Sequence, residues 1–461
     1  MTARKRYWTK GLGAAALALG MAGGAGAQET LTVWANKGFY KAEDDALLAV
    51  VDKFQKATGV KIDLSLTSIE DCITKSVAAV EAGTPPDVGY CVTYDFRTTG
   101  KWAFEGRLED LSEIVAPMQG DFVAEALATT LLFNDKAKKK AYYAVPIQRQ
   151  TIHINYWRDM LEDAGFKDSD IPTDWDGYWG FWCDKVQPAL RAKGKRVFAI
   201  GHPLGVASTD TFYSFLMVAA AYNAKITDDT GKVVLDEPAN KANMVKALKF
   251  YTDVHAKGCT PPSSVNWQDP DNNVAFHNKQ IVMTHNATIS IAAKWLDDMN
   301  NQALTAEQRA EAKANYEQKI ATTGWPKKPD GTPITYLAAT KTAVVFEAAK
   351  NKKRAKEFAA FLMKDENLRP FVEGSLGRWY PATTAATKSD FWTAGDKHRK
   401  VVHDQFSAGT VPFQFVQNFR FTQVNAENVW GKAMQRIIQD KVTPEAAVDE
   451  MIARIKEIAG G

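Results

Sequence analysis

The first hundred residues alternate between two periods of apolar residues. Residues 31–35, Leu-Thr-Val-Trp-Ala, read as a strand. Residues 41–57 set Leu47, Leu48, Val51 and Phe54 on one face and stop at Gly59, which predicts a helix. Val60, Ile62, Leu64 and Leu66 alternate with polar residues and predict a second strand. Ile69, Ile73, Val77 and Val80 return to helical spacing and stop at Gly83. Pro85-Pro86 then introduces a third strand over residues 87–92. Strand, helix, strand, helix, strand predicts a layered α/β domain with parallel pairing.

Further on, residues 141–156 read as extended chain interrupted by Pro146, a crossing segment suited to a hinge. Helical patterns fill 157–164, 174–192, 208–222 and 239–257, with short extended pieces at 196–201 and 232–235. Residues 279–285 read as a strand, 305–319 as a polar helix and 333–346 as extended chain. Helices dominate from 350 onward, the last over about 444–458. The basic run Lys136 to Lys140 reads as a solvated loop. Trp102, Trp157, Trp182 and Trp295 fall within helical patterns and read as core.

The hydrophobic fraction of 45% excludes a disordered or fibrous chain. With 57 basic and 54 acidic residues the formal charge is +3, which argues against a strongly basic nucleic-acid surface. The N-terminus changes the picture more. Arg4, Lys5, Arg6 and Lys10 precede an apolar stretch from Leu12 to about Ala22, and Ala25-Gly26-Ala27 forms a small-x-small cleavage signal. This is the pattern of a secretory signal peptide over residues 1–27, too short in its apolar part for a spanning helix. Its removal leaves 57 − 4 = 53 basic against 54 acidic residues, and a soluble exported protein is expected. In an oxidising compartment four cysteines can pair, and three connectivities of Cys72, Cys91, Cys183 and Cys259 are open.

The common catalytic signals are missing. GxGxxG, GxxxxGK[ST], GxSxG, HExxH and CxxC do not occur. His398 and His403 are five apart, one more than a helical metal pair prefers, and read as surface residues. No metal site, no cofactor and no enzymatic activity are expected. Trp34 ends the first strand, at the carboxyl end where α/β sheets bind ligands, although a packed position suits it equally.

Several pieces follow one another in a known order. They are Leu31–Tyr40, Phe54–Ile62, the turn Ala82-Gly-Thr-Pro-Pro-Asp-Val88, Tyr143-Ala-Val-Pro-Ile147 with His153-Ile-Asn-Tyr156, Ala275–Met283, Asn351–Phe358 and Gly374–Pro381. In this order the chain resembles family 1 extracellular solute-binding proteins, the carbohydrate-binding subunits of bacterial ABC importers, and is similar to maltodextrin-binding proteins. It departs at Gln280, where glycine is usual, and at Val282, where alanine is common. The resemblance implies an α/β fold of two lobes (the type II periplasmic-binding-protein fold), joined by hinge segments, with the ligand in the cleft between them. The implied first lobe is 28–148 plus 287–337, and the second 152–282 plus 343–461. Under that division only Cys72–Cys91 with Cys183–Cys259 keeps both disulfides within lobes.

The resemblance also implies the site. It assigns Asn36 and Lys37 after the first strand, Glu70 and Asp71 at the start of the next helix, and Tyr94 and Asp95 after the third strand. The hinge contributes Gln150, where maltodextrin binders carry glutamate, and the second crossing contributes Asn286 and Thr288. Trp325 is placed after the strand-like 320–323, and Arg378, Trp379 and Tyr380 follow Gly377 in a turn. Aromatic rings suit the C–H face of a sugar, and charged or amide groups suit its hydroxyls. The implied function is a periplasmic sugar-binding protein, a monomer that closes on its ligand and delivers it to membrane permease subunits. The alternatives are the same fold holding a polyol, a glycerol phosphodiester or a polyamine, and a secreted carbohydrate-active enzyme.

Overall fold

A computed structural model describes residues 29–460; the signal peptide predicted over residues 1–27 lies outside the described residues. The strands are β1 Thr30–Asn36, β2 Lys61–Thr67, β3 Val88–Tyr90, β4 Leu131–Asn134, β5 Lys139–Tyr142, β6 Val145–Thr151, β7 His153–Trp157, β8 Phe198–Gly201, β9 Ile281–Asn286, β10 Ile320–Thr323, β11 Tyr336–Val345, β12 Tyr380–Pro381 and β13 Thr410–Pro412. The larger sheet runs β12-β6-β11-β3-β1-β2, with β13 beside β11, and a second sheet runs β10-β7-β9-β8. β1 pairs in parallel with β2 and with β3, as the opening pattern predicts.

The opening elements form for local reasons. Helix Lys41–Thr58 buries Leu47, Val50, Val51 and Phe54, then ends at Gly59, whose φ of 71° is the left-handed conformation glycine adopts at no steric cost. Helix Ile69–Glu81 is capped by the Ser68 side chain, which accepts from the Asp71 amide. The predicted segment 174–192 is helical throughout but widens to a π-helical stretch over Phe181–Val186. The basic run is not wholly loop: Lys139 and Lys140 open β5, which pairs with β4 in a hairpin. The extended piece expected at 232–235 contributes only an isolated bridge between Thr227 and Val233.

Two lobes follow from two cores. One core joins buried residues from Leu31 to Ile147 with others from Ala343 to Ala382. The other joins residues from Ile152 to Ala339 with Phe413 to Ala459, and takes in Phe96. The expected division put 287–337 in the first lobe and 343–461 in the second; strand pairing and packing distribute these segments differently. β10 lies antiparallel on β7, so the chain stays with the second lobe beyond residue 287. Helix Lys352–Met363 returns to the first lobe, where Phe358 meets Phe54 at 5.0 Å. The chain crosses between the lobes at Ile152, between β6 and β7, then along the ten-residue β11, and again between Ala382 and Phe413.

Each lobe carries one disulfide. Cys72–Cys91 ties helix Ile69–Glu81 to the end of β3, and Cys183–Cys259 lies in the second lobe. No described helix is long and apolar enough to cross a membrane. Trp102, Trp157 and Trp182 are fully buried, as expected, whereas Trp295 is only partly buried against the second-lobe core. His398 is not a surface residue. It is buried between Thr322, whose hydroxyl lies 2.7 Å from Nδ1, and the Tyr316 carbonyl, 2.9 Å from Nε2. Among the described residues no cluster of His, Cys, Asp and Glu is suited to a metal ion.

Candidate functional site

The lobes meet around a tight cavity of about 40 Å³, partly open to solvent. Its first-lobe wall is built from segments that follow strands: Phe39 after β1, then Val92 and Thr93 after β3. The second-lobe wall comes from Asn286, Ala287 and Thr288 at the end of β9, from Asn272 and Asn273, and from the start of helix Thr209–Ala221. The crossing strands supply Gln150 from β6 and Lys341 from β11. Ligand groups gathered beyond the carboxyl ends of strands are the rule for open α/β sheets.

The two lobes touch at the cavity's edge. Phe96 leaves the first lobe to pack on Phe212 at 4.8 Å and Tyr213 at 5.4 Å. Lys341 Nζ lies 3.2 Å from both carboxylate oxygens of Asp95 and donates to Tyr213 Oη at 3.0 Å. The lysine thereby links first-lobe Asp95 to second-lobe Tyr213. Burial pushes the Asp95 carboxyl up to about 6, against the opposing pull of Lys341, and burial also lowers Lys341.

Glu43 organises the other wall. Its carboxylate accepts from the Phe39 amide at 2.7 Å, from Arg378 Nη1 at 2.6 Å and from Trp379 Nε1 at 2.9 Å. The Arg378 guanidinium also sits 3.8 Å from the centre of the Phe39 ring. On the opposite side, Asp210 lines the cavity from the first turn of its helix and accepts from Asn272 Nδ2 at 2.9 Å. Burial and the neighbouring Asp269 carboxylate push Asp210 up to about 7.

Several buried polar atoms here have no hydrogen-bond partner among the described residues: Thr93 Oγ1, Gln150 Nε2 and Arg378 Nε. An unmet buried group costs about 1–3 kcal/mol. The same cavity is lined by Phe39, Phe96, Tyr213 and Trp379, rings fit to cover an apolar face.

Of the sequence-predicted residues, Gln150, Asn286, Thr288, Arg378 and Trp379 line this cavity. Asp95 stands behind Lys341, one side chain removed. Asn36 stands behind the wall as well, where its Oδ1 accepts from the Val92 amide at 2.8 Å.

The others lie elsewhere. Trp34 packs under Lys75, whose Nζ is 3.7 Å from the ring centre. Lys37 and Asp71 are exposed, and exposed Glu70 pairs with Arg97. Tyr94 is fully buried and donates to Ser76. Trp325 is buried in the second lobe, donating to the Ile152 carbonyl and stacked on Trp175. Tyr380 stacks on Phe406 at 4.3 Å and bonds His403.

Sequence reasoning missed Phe39, Glu43, Asp210, Tyr213, Asn272, Asn273 and Lys341. Phe39 stands in the loop after the first strand, so its signal was available. Asp210 opens a helix that is otherwise nearly all buried and so reads as core.

Two α/β lobes joined by crossing strands, with a polar-and-aromatic cavity between them, make the two-lobed periplasmic-binding-protein fold. The sequence matches the bacterial extracellular solute-binding protein family over residues 49–400, and the chain belongs to that family. It is 24% identical over 316 residues to the arabinooligosaccharide-binding protein of Bacillus subtilis, a match spanning 68% of this chain and 63% of that protein. It is 22% identical over 348 residues to the multiple sugar-binding protein of Streptococcus mutans, spanning 73% of this chain and 72% of that one. A solute-binding protein from Thermotoga lettingae, solved with alpha-D-tagatose, superposes with a TM-score of 0.75 at 20% identity, covering 94% of this chain and all of the other. These relatives are binding proteins, and the family is extracellular.

Proposed function

We propose that this chain is the substrate-binding protein of an ABC importer and that it captures a sugar in the cavity between its lobes. The observation that carries the reading is the lining itself. Polar side chains of Thr93, Gln150, Asn286 and Arg378 line a space bounded by aromatic rings. A sugar has the complementary surface, hydroxyls on its edge and C–H groups on its face. The sugar-binding names of the relatives support the same ligand class.

The site residues under this proposal are Gln150, Asn286, Thr288, Arg378 and Trp379, with Phe39, Thr93, Asp210 and Tyr213. Lobe closure is the mechanism. A ligand that bridges both walls binds the closed arrangement better and shifts the population toward it. The closed form is then what permease subunits recognise, and the protein acts as a monomer without chemistry of its own. The leader is cleaved after Ala27, which delivers the mature chain to the periplasm.

The non-sugar alternatives fit less well. Both cations at the cavity already have carboxylate partners, which disfavours a phosphodiester. Of the carboxylates that suited a polyamine, Glu70 and Asp71 lie away from the cavity and Asp95 stands behind its wall, paired with Lys341. A thermal-shift screen of sugars, polyols, phosphodiesters and polyamines tests the reading. A ligand at about 100 times its dissociation constant adds about 2.7 kcal/mol of stability. Sugars are expected to give the largest shifts; shifts confined to another class would overturn the proposal.

A further inference from the structure

The charges around the cavity do not balance. Arg378 is matched by Glu43, with a side-chain contact of 2.6 Å, and Lys341 is matched by Asp95 at 3.2 Å. Asp269 has no cation partner among the described residues, but its oxygens are occupied. They accept from the Ser208 hydroxyl at 2.8 Å, the Thr209 amide at 3.0 Å and the Thr209 hydroxyl.

Asp210 differs from all of these. One of its oxygens accepts from Asn272, and the other has no hydrogen-bond partner among the described residues. No lysine or arginine forms a salt bridge with it among the described residues. The charged groups that act on it are Asp269, which opposes its ionisation, and Arg378 and Lys341, which favour it from farther away. Burial opposes ionisation more than any of them. Tyr213 on the same helix and Tyr251 also feel the Asp210 charge, and both are held neutral. When Asp210 ionises, the cavity carries surplus negative charge, and in either state it presents one open carboxyl oxygen.

A neutral hydroxyl can satisfy that oxygen, but it leaves the charge uncompensated. A protonated amine satisfies both, through a charge-assisted hydrogen bond. A carboxylate on the ligand adds a like charge beside two aspartates.

Resting on the carbohydrate reading above, we infer that the ligand is an amino sugar whose protonated amine sits against Asp210, and that Asp210 sets the preference for it over the neutral parent sugar and against sugar acids.

The test is calorimetry with matched sets of sugars at pH 6.5, where the amine of an amino sugar is protonated. The sets are glucose, glucosamine and glucuronate; galactose, galactosamine and galacturonate; and cellobiose against the glucosamine β-1,4 dimer. In the set that fits the cavity, the amine member is expected to bind at least tenfold tighter than its neutral parent, and the acid weaker than both. Its binding is also expected to release a proton, because the ammonium group favours the ionised carboxylate. The released proton makes the measured heat differ between buffers of high and low ionisation enthalpy, a readout in the unaltered protein. Asp210→Asn is expected to bring the amine and its parent within about threefold of each other.

Two results would overturn the inference. One is a neutral parent that binds as tightly as its amine in every set that binds. The other is an amine preference that survives Asp210→Asn and shows no buffer dependence. Failure of every sugar to bind would overturn the carbohydrate reading itself, which is distinguishable from a bound sugar with no preference for the amine.

Discussion

Glu43 holds three donors of the first-lobe wall in place: the Phe39 amide, the Arg378 guanidinium and the Trp379 indole. Its side chain is 9% exposed and that of Arg378 is 5% exposed, so the pair is shielded from water. Glu43→Ala leaves the guanidinium buried without its carboxylate. Removing one partner of such a pair costs about 3–5 kcal/mol. Glu43→Gln keeps an acceptor for the indole but loses the charge, and a hydrogen bond to a charged group is worth about 1.5–3 kcal/mol.

Urea unfolding followed by tryptophan fluorescence measures both costs. The double variant Glu43→Ala/Arg378→Ala removes the stranded cation along with its cause. Its cost should fall short of the sum of the single costs by about 1–3 kcal/mol. Ligand affinity in Glu43→Gln should drop about tenfold, or about 1.4 kcal/mol, as Arg378 and Trp379 lose their orientation. Strictly additive costs, or a Glu43→Ala loss under about 0.5 kcal/mol, would refute the claim that this carboxylate organises the wall.

Trp379→Ala should weaken sugar binding by at least about 1–2 kcal/mol in calorimetry, through lost aromatic surface. The Asp95 carboxyl, raised by burial, holds its proton more tightly when folded than in the unfolded chain, whose value is about 3.9. Its contribution to stability is therefore complete below about pH 4 and is lost as pH rises toward 6; the difference in stability between the wild type and Asp95→Asn should slope across that window and flatten above it. Reduction should destabilise both lobes. The sequence separations of 19 and 76 residues correspond to about 3 kcal/mol for Cys72–Cys91 and about 4.5 kcal/mol for Cys183–Cys259 in the loop-entropy account, measurable as separate losses in single Cys→Ser pairs. Mass spectrometry of the exported protein should find Gln28 at the N-terminus, and an intact 1–27 segment would contradict the secretion argument.

The opening β-α-β-α-β run was legible because each element has one buried face and a clear stop. The later chain was harder to divide. Residues 287–337 and 343–461 contain many short helices, and nothing local says which lobe each one packs against. β10 joins β7 across a long separation, and only the pairing reveals it.

Within the site, neighbouring residues part company for geometric reasons. Tyr94 and Asp95 follow one another on a helical turn, so one faces Ser76 and the core while the other faces Lys341. Trp379 and Tyr380 point apart: the first reaches Glu43, and the second pairs in β12 and stacks on Phe406. Trp34 fell to the same alternation along β1, which turns it to Lys75. Gln150, Asn286 and Thr288 were legible through the family resemblance. Lys341 sits in an extended run with no local mark, and its role emerges only where β11 brings it between Asp95 and Tyr213.

The central claim is that a sugar occupies the space between the lobes. A crystal structure of the protein grown with the sugar that gives the largest thermal shift tests it most directly. The account predicts a ring stacked on Trp379, with hydroxyls about 2.7–3.2 Å from Gln150 Nε2 and Asn286, and contacts from both lobes at once. Sugar density on an outer surface, or against one lobe only, would contradict it.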